Sequence, residues 1–285
     1  MDYLDYADEL ASVSEYYLYM SDGASIRIID FVPEDVSGVK PVIVFVAGWI
    51  SLISGWSGLL REITPLFRTI YMETREKSSS EVSKINKNNF TINRLKQDIG
   101  DVIKHLIPEN VPFVLAGSSL GASTILEYSV DADIAASAAI LIGPNSEFRF
   151  PKILGDIIPA IPPSMYFAVK PVIKWYLKNF RLDKKNSPEQ VEKYERTLDA
   201  ADPYKLKANA LALKNYKINS NIGNITIPCL VMGATSDKLH GTESIKKLAS
   251  AIPQGEYVEL ASNMETHNEK AGRVIAEYIN RVFNS

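Results

Sequence analysis

Pro112-Phe113-Val114-Leu115-Ala116-Gly117-Ser118-Ser119-Leu120-Gly121-Ala122-Ser123-Thr124 is the stretch whose reading decides the fold. An apolar run, Phe113 to Ala116, leads straight into Gly117-Ser118-Ser119-Leu120-Gly121, and a helix-compatible segment follows at once. This is the G-x-S-x-G pattern of a nucleophile elbow in its setting of strand before and helix after. The turn must be tight enough to strain Ser119 and lift its hydroxyl clear of the sheet edge. A Cβ at 117 or 121 would collide where strand and helix cross, so both positions are glycine. The helix that follows aims its first N–H groups at whatever the hydroxyl attacks.

Outward from the elbow, short apolar runs alternate with helical segments. Glu15 to Met20 alternates like a strand, Ser21-Asp22-Gly23 marks a turn, and Ser25 to Val32 reads as the returning strand of a hairpin. Pro41 to Val46 is a buried strand, Trp56 to Leu66 fits a helix, and Thr69 to Glu73 is another short strand. In Ile92 to Ile107, Leu95, Ile99, Val102, Ile103 and Leu106 share one helical face. The elbow helix runs to about Ser129, and Ala138 to Ile142 is the next strand. Cys229 to Gly233, Thr242 to Ala251, Tyr257 to Leu260 and Glu269 to Phe283 complete the series as strand, helix, strand, helix. Such alternation predicts an α/β fold, a mostly parallel sheet with helices on both faces. Glu76 to Asn89, rich in Lys, Ser and Asn, is the most loop-like part of that core.

The interval from Asn145 to Gly223 breaks the rhythm once. It opens with Pro151, Pro159, Pro162, Pro163 and Pro171, and carries apolar and aromatic residues between Ile157 and Phe180. Charged helical segments follow at Pro188 to Leu198 and Pro203 to Tyr216. The expectation is a helical lid, residues 145–223, inserted into a core made of residues 1–144 and 224–285. Its apolar face would cover the nearest uncovered surface, the carboxyl edge of the sheet above Ser119. Ile157, Ile161, Met165, Phe167 and Trp175 are the candidates for lining a pocket there, with packing of the lid against the core the equal alternative.

The 285 residues, 46% of them hydrophobic, suit one large α/β domain with an insertion. A net charge of −3 offers no basic face for nucleic acid. The lone Cys229 leaves no internal disulfide and suits a reducing, cytoplasmic setting, as a core thiol. The acidic start, Met1 to Glu9, is the reverse of a secretory signal. Pro41 to Leu60 has the length of a membrane span and no charge, but its proline, glycines and serines argue for a buried strand and loop instead. Oligomeric state has no signature in the chain.

A serine hydroxyl is a poor nucleophile at neutral pH and needs a base with an orienting group behind it. Of three histidines, His105 sits at a helix end and His240 just before a helix. His267 lies between the last strand and the last helix, at the carboxyl edge where parallel sheets hold their ligands. Asp237 follows the strand that includes Leu230 to Gly233. Taken singly, Asp237 reads equally well as a helix cap and His267 as a loop histidine. Together, Ser119, Asp237 and His267 stand in catalytic order, each after a strand.

With these residues in place, the chain resembles the α/β-hydrolase superfamily over nearly its whole length. The resemblance implies an oxyanion hole built from the backbone N–H groups of Leu120 and Trp49, the latter in Val46-Ala47-Gly48-Trp49. Many relatives carry His-Gly where this chain has Ala47-Gly48. Glu73-Thr74-Arg75-Glu76-Lys77-Ser78 is similar to the family's D-x-R-G-x-G segment but lacks its two glycines. The place and size of the insertion are similar to those of monoglyceride lipase and lysophospholipase-like esterases. The implied activity is hydrolysis of a small-molecule carboxylic ester, with a medium or long lipid-like acyl group, through an acyl-enzyme on Ser119. No metal or organic cofactor is implied. The same triad serves C–C bond, amide and acyl-transfer chemistry, and a binding protein on a hydrolase scaffold is the non-enzymatic alternative.

Overall fold

The computed structural model describes residues 6–35, 40–148, 158–181, 188–218, 220–235 and 241–284. Strands β1 (Ala11–Tyr19), β2 (Ser25–Pro33), β3 (Val42–Val46), β4 (Thr69–Met72), β5 (Phe113–Ser118), β6 (Ala138–Ile142), β7 (Cys229–Ala234) and β8 (Gly255–Leu260) form one sheet. Their order is β1-β2-β4-β3-β5-β6-β7-β8. The hairpin β1–β2 is antiparallel, with Ala11 opposite Pro33 and Tyr19 opposite Ser25. β2 meets β4 antiparallel, and every later pairing is parallel. This is the α/β-hydrolase fold.

Each central strand is apolar on both faces because both are covered. Val42, Val44 and Val46 of β3 point to the face packed by α2 (Ile92–Leu106) and α3 (Leu120–Val130), while Ile43 and Phe45 point to the other. That second face is covered by α1 (Ser57–Ile63) and α8 (Glu269–Phe283), through Leu59, Leu60, Ile275 and Ile279. Each of these aliphatic side chains contributes about 1.5–3 kcal/mol by leaving water. Cys229 is fully buried in β7, and burial pushes its thiol up to about 12.

Where β6 gives way to β7, the chain leaves the sheet and returns to the adjacent position, Ala139 pairing with Cys229. Between them stand α4 (Tyr166–Tyr176), α5 (Pro188–Ala200) and α6 (Pro203–Leu213). Proline at the first position of α5 and α6 costs no hydrogen bond there, and Asp202 caps α6 by accepting from the N–H groups of Tyr204 and Lys205. The base of the insertion is closed by a bridge between Glu147 and Lys217 and by the 2.8 Å bond from Ile218 N–H to Ser146 O. α7 (Thr242–Ala251) packs beside β7 and β8.

The segment after β4 is largely loop, as expected, but its first part is interior rather than solvated. Glu73, Thr74, Arg75, Glu76, Lys77 and Ser80 are all buried. Arg75, with no exposed surface, donates to both carboxylate oxygens of Asp98 at 2.7 and 2.6 Å and to Asp22 at 3.0 Å. Buried charges persist when they are paired and hydrogen-bonded, and this cluster meets both conditions.

Candidate active site

The crossing of β5 and α3 shows why the elbow needs its glycines. A Cβ on Gly121 would stand 2.1 Å from Val46 O, and one on Gly117 2.7 Å from Ile125 Cδ1 and 2.9 Å from Val46 O. Between them Ser119 adopts φ 50° and ψ −111°, a conformation that side-chain-bearing residues rarely take. The strained residue is pinned on both sides. Its N–H donates to Ile142 O at 2.8 Å, and its carbonyl accepts from Ser123 N at 2.9 Å and Ser123 Oγ at 3.0 Å.

Asn145, just past the end of β6, donates from Nδ2 to Ser119 Oγ at 3.0 Å. Its own backbone is held by the Ser123 hydroxyl, which accepts from Asn145 N at 2.9 Å and lies 3.0 Å from Asn145 O, its one proton shared between that carbonyl and Ser119 O. With Asn145 on one side of Oγ, the serine proton is directed elsewhere. Sequence reasoning placed Asn145 only at the insertion's boundary. No spacing in the sequence marks it, because the contact depends on β5 and β6 lying side by side.

His267 stands in the turn between β8 and α8. Its Nδ1 lies 2.8 Å from Asn263 O and 2.9 Å from Thr266 Oγ1. A carbonyl oxygen can only accept, so Nδ1 is assigned the proton, which in the neutral imidazole leaves the lone pair on Nε2. The imidazole also stacks on Trp56, with ring centroids 4.2 Å apart. Asn263 in turn accepts at Oδ1 from Gln190 Nε2 of α5 at 2.8 Å, which ties the insertion to the histidine turn.

The loop after β3 reaches the elbow from the other side. A Cβ on Gly48 would lie 3.5 Å from Ser119 Cβ. The buried cluster after β4 supports this loop from below. Ile50 N–H donates to Glu76 Oε1 at 3.1 Å, and Lys77 Nζ donates to Gly48 O at 3.1 Å. Thr74 Oγ1 donates to Glu76 Oε1 at 2.6 Å. Charged hydrogen bonds thus hold in shape a loop that has neither the His-Gly of many relatives nor, below it, their two glycines. Leu120 is the first residue of α3, and its N–H donates to no protein acceptor among the described residues.

A cavity of about 550 Å³ joins these parts. Ser119, His267 and Trp49 line its floor, and Ile161 with Tyr166, Val169, Ile173 and Tyr176 of α4 lines its roof. Met165, Phe167 and Trp175, expected in that lining, are instead 48%, 62% and 59% exposed. The inner residues of α4 are spaced three, four and three apart, one helical face, and Phe167 and Trp175 fall on the opposite one. Ile157, Asp237 and His240 lie outside the described residues. His105 is on the surface, its Nδ1 2.7 Å from Asp101 O. Lys193 of α5, not among the expected site residues, also lines the cavity.

Comparison with known proteins agrees with this architecture. The family described as serine aminopeptidase, S33, matches residues 88–263. No curated protein sequence matches the chain significantly. Among solved structures, a thermophilic esterase from Thermogutta terrifontis superposes with a TM-score of 0.77 at 18% identity, covering 94% of this chain and 99% of its own. An enol-lactonase from Burkholderia xenovorans LB400 gives 0.75 at 18%, covering 95% and 100%. An esterase from Exiguobacterium antarcticum gives 0.73 at 18%, covering 94% and 100%. At these identities the likeness is one of fold.

Proposed function

From the premise that this chain belongs to the serine aminopeptidase S33 family of α/β-hydrolases, and is a hydrolase, we propose that it cleaves carboxylic esters through an acyl-enzyme on Ser119. The observation that carries this reading is one cavity holding both a strained, outward-held serine and a histidine whose Nδ1–H is spoken for.

Ser119 Oγ attacks the ester carbonyl carbon as His267 Nε2 takes its proton. The oxyanion is held by the N–H groups of Leu120 and Trp49, each worth roughly 10²–10³ in rate. Collapse of the tetrahedral intermediate breaks the C–O bond, and the departing alkoxide takes the proton from the imidazolium. Water then repeats the sequence on the acyl-enzyme, and the acid leaves. Asp237 is proposed as the group that stabilises the charged His267. The apolar roof supplied by α4 supports an acyl group of medium or long chain.

Peptide cleavage at a free amino terminus, the reaction in the family's description, is less well supported. The cavity's described lining holds two lysines, Lys193 and Lys207, against one carboxylate, Glu147. That balance disfavours a substrate ammonium. Among the described residues no helix is long and apolar enough to cross a membrane. The deciding experiment is turnover of p-nitrophenyl esters from acetate to palmitate, with fluorophosphonate labelling of Ser119. An unlabelled protein without turnover across that series would overturn the proposal.

A further inference from the structure

Lys193 is a cation built into the catalytic cavity with no work in the steps above. Its stem packs on Gly55, where any Cβ would stand 2.7 Å from Lys193 Cε, so glycine there makes room for the lysine. Its Nζ lies over the Trp56 ring, 5.1 Å from the centroid, and the same ring stacks on His267 at 4.2 Å. An aromatic face holds an ammonium in place without neutralising it. No described carboxylate pairs with it, and burial pulls its pKa down to about 7. The second lysine of the cavity is already engaged, for Lys207 Nζ donates to Pro159 O at 2.9 Å and Ile161 O at 2.8 Å.

With no carboxylate beside it among the described residues, a cation in that setting suits an anion brought by the substrate. Its position through Trp56 puts it on the His267 side of the cavity, where the alcohol leaves, whereas the apolar α4 roof is the place for the acyl chain. We propose that Lys193 recognises an anionic group, phosphate or carboxylate, on the alcohol half of the ester, so that the preferred substrates are acyl esters of acidic alcohols. This deepens the ester-hydrolase reading and rests on it. A neutral ester then lacks an interaction that a charged one makes, and hydrogen bonds to charged groups are the strong ones.

The test compares three esters of one acyl chain, on glycerol, on glycerol phosphate and on glycolate, with wild type and with Lys193→Met and Lys193→Arg. Wild type should favour at least one charged ester over the neutral one in kcat/KM. Lys193→Met should lower that charged-to-neutral ratio about tenfold or more, and Lys193→Arg should keep most of it. Preference for only the phosphate or only the carboxylate would identify the anion. A wild-type preference for the neutral ester, or a ratio unmoved by Lys193→Met, would overturn the inference while leaving ester hydrolysis standing. No turnover of any of the three would count against the ester-hydrolase reading on which the inference rests.

Discussion

Ser119 holds a positive φ that a serine adopts only under constraint, a strain worth of order 1–3 kcal/mol. Two substitutions separate its chemistry from its strain. Ser119→Ala should lower ester turnover by about 10⁶ in kcat, because nucleophile and base act as a unit, and it should fold normally. Ser119→Gly should be equally inactive yet unfold at higher denaturant than Ser119→Ala, since glycine takes that φ freely. Equal midpoints would show that the turn stores no strain. Histidines divide the same way. His267→Ala should be nearly as damaging as loss of Ser119, whereas His105→Ala, on the surface at a helix end, should leave kcat/KM within about twofold. The reverse result would move the base elsewhere. The strained turn at Ser119 was legible in the sequence because strain and close approach demand glycine at fixed offsets. Asn145 was not, because its bond to Ser119 Oγ depends on β5 and β6 lying side by side, and no spacing encodes that.

Strands were the elements most open to sequence reading, for a strand covered on both faces is a short unbroken apolar run, as in Val42–Val46 and Ala138–Ile142. Their ends shifted where polar residues pair through the backbone: β1 begins at Ala11 rather than Glu15, and β8 at Gly255 rather than Tyr257. Helix α4 resisted reading for a different reason. Tyr166, Phe167, Val169, Val172, Ile173, Trp175 and Tyr176 place apolar groups all round it, so periodicity marks no inner face. The structure selects Tyr166, Val169, Ile173 and Tyr176 for the cavity. Ile173→Ala removes three carbons from that roof and should lower kcat/KM for long-chain esters by up to about 2 kcal/mol, at about 0.8 kcal/mol per methylene. Acetate ester turnover should hardly change, because a two-carbon acyl group does not reach the roof. Trp175→Ala, on the outer face, should alter neither in a solution assay with monomeric substrates. If Trp175→Ala matched Ile173→Ala in a chain-length series, the assignment of faces would be wrong.

Across the whole molecule the charges fall into two populations, and composition alone separates neither. Some form exposed pairs such as Arg273 with Glu62, which contribute little. A buried group centres on Glu73, Arg75, Glu76 and Lys77 after β4, with partners spread from Asp22 to Lys205. Arg75 meets Asp98 and Asp22, Lys77 meets Gly48 O, and Lys205 Nζ reaches across from α6 to Lys77 O. Lys193 has no such partner among the described residues, and its effect should be measurable in the stability of the entire fold. Burial lowers its pKa from 10.5 to about 7. Between those values the unfolded chain holds a proton that the folded chain has released, so this residue makes stability rise with pH across that window. Its penalty is fully present below about pH 7 and gone above the unfolded value. Lys193→Met removes the ammonium and keeps the stem. The variant's gain in Tm over wild type should therefore be largest below pH 7 and shrink steadily toward pH 10. Titrations common to both proteins, including the tyrosines raised by burial, cancel in that difference. Thermal unfolding of the pair at about pH 6, 8 and 10 and constant ionic strength measures it. A gain that stays constant with pH would mean that Lys193 is well solvated in the folded protein, and its ammonium would then carry no unmet charge for a substrate to satisfy.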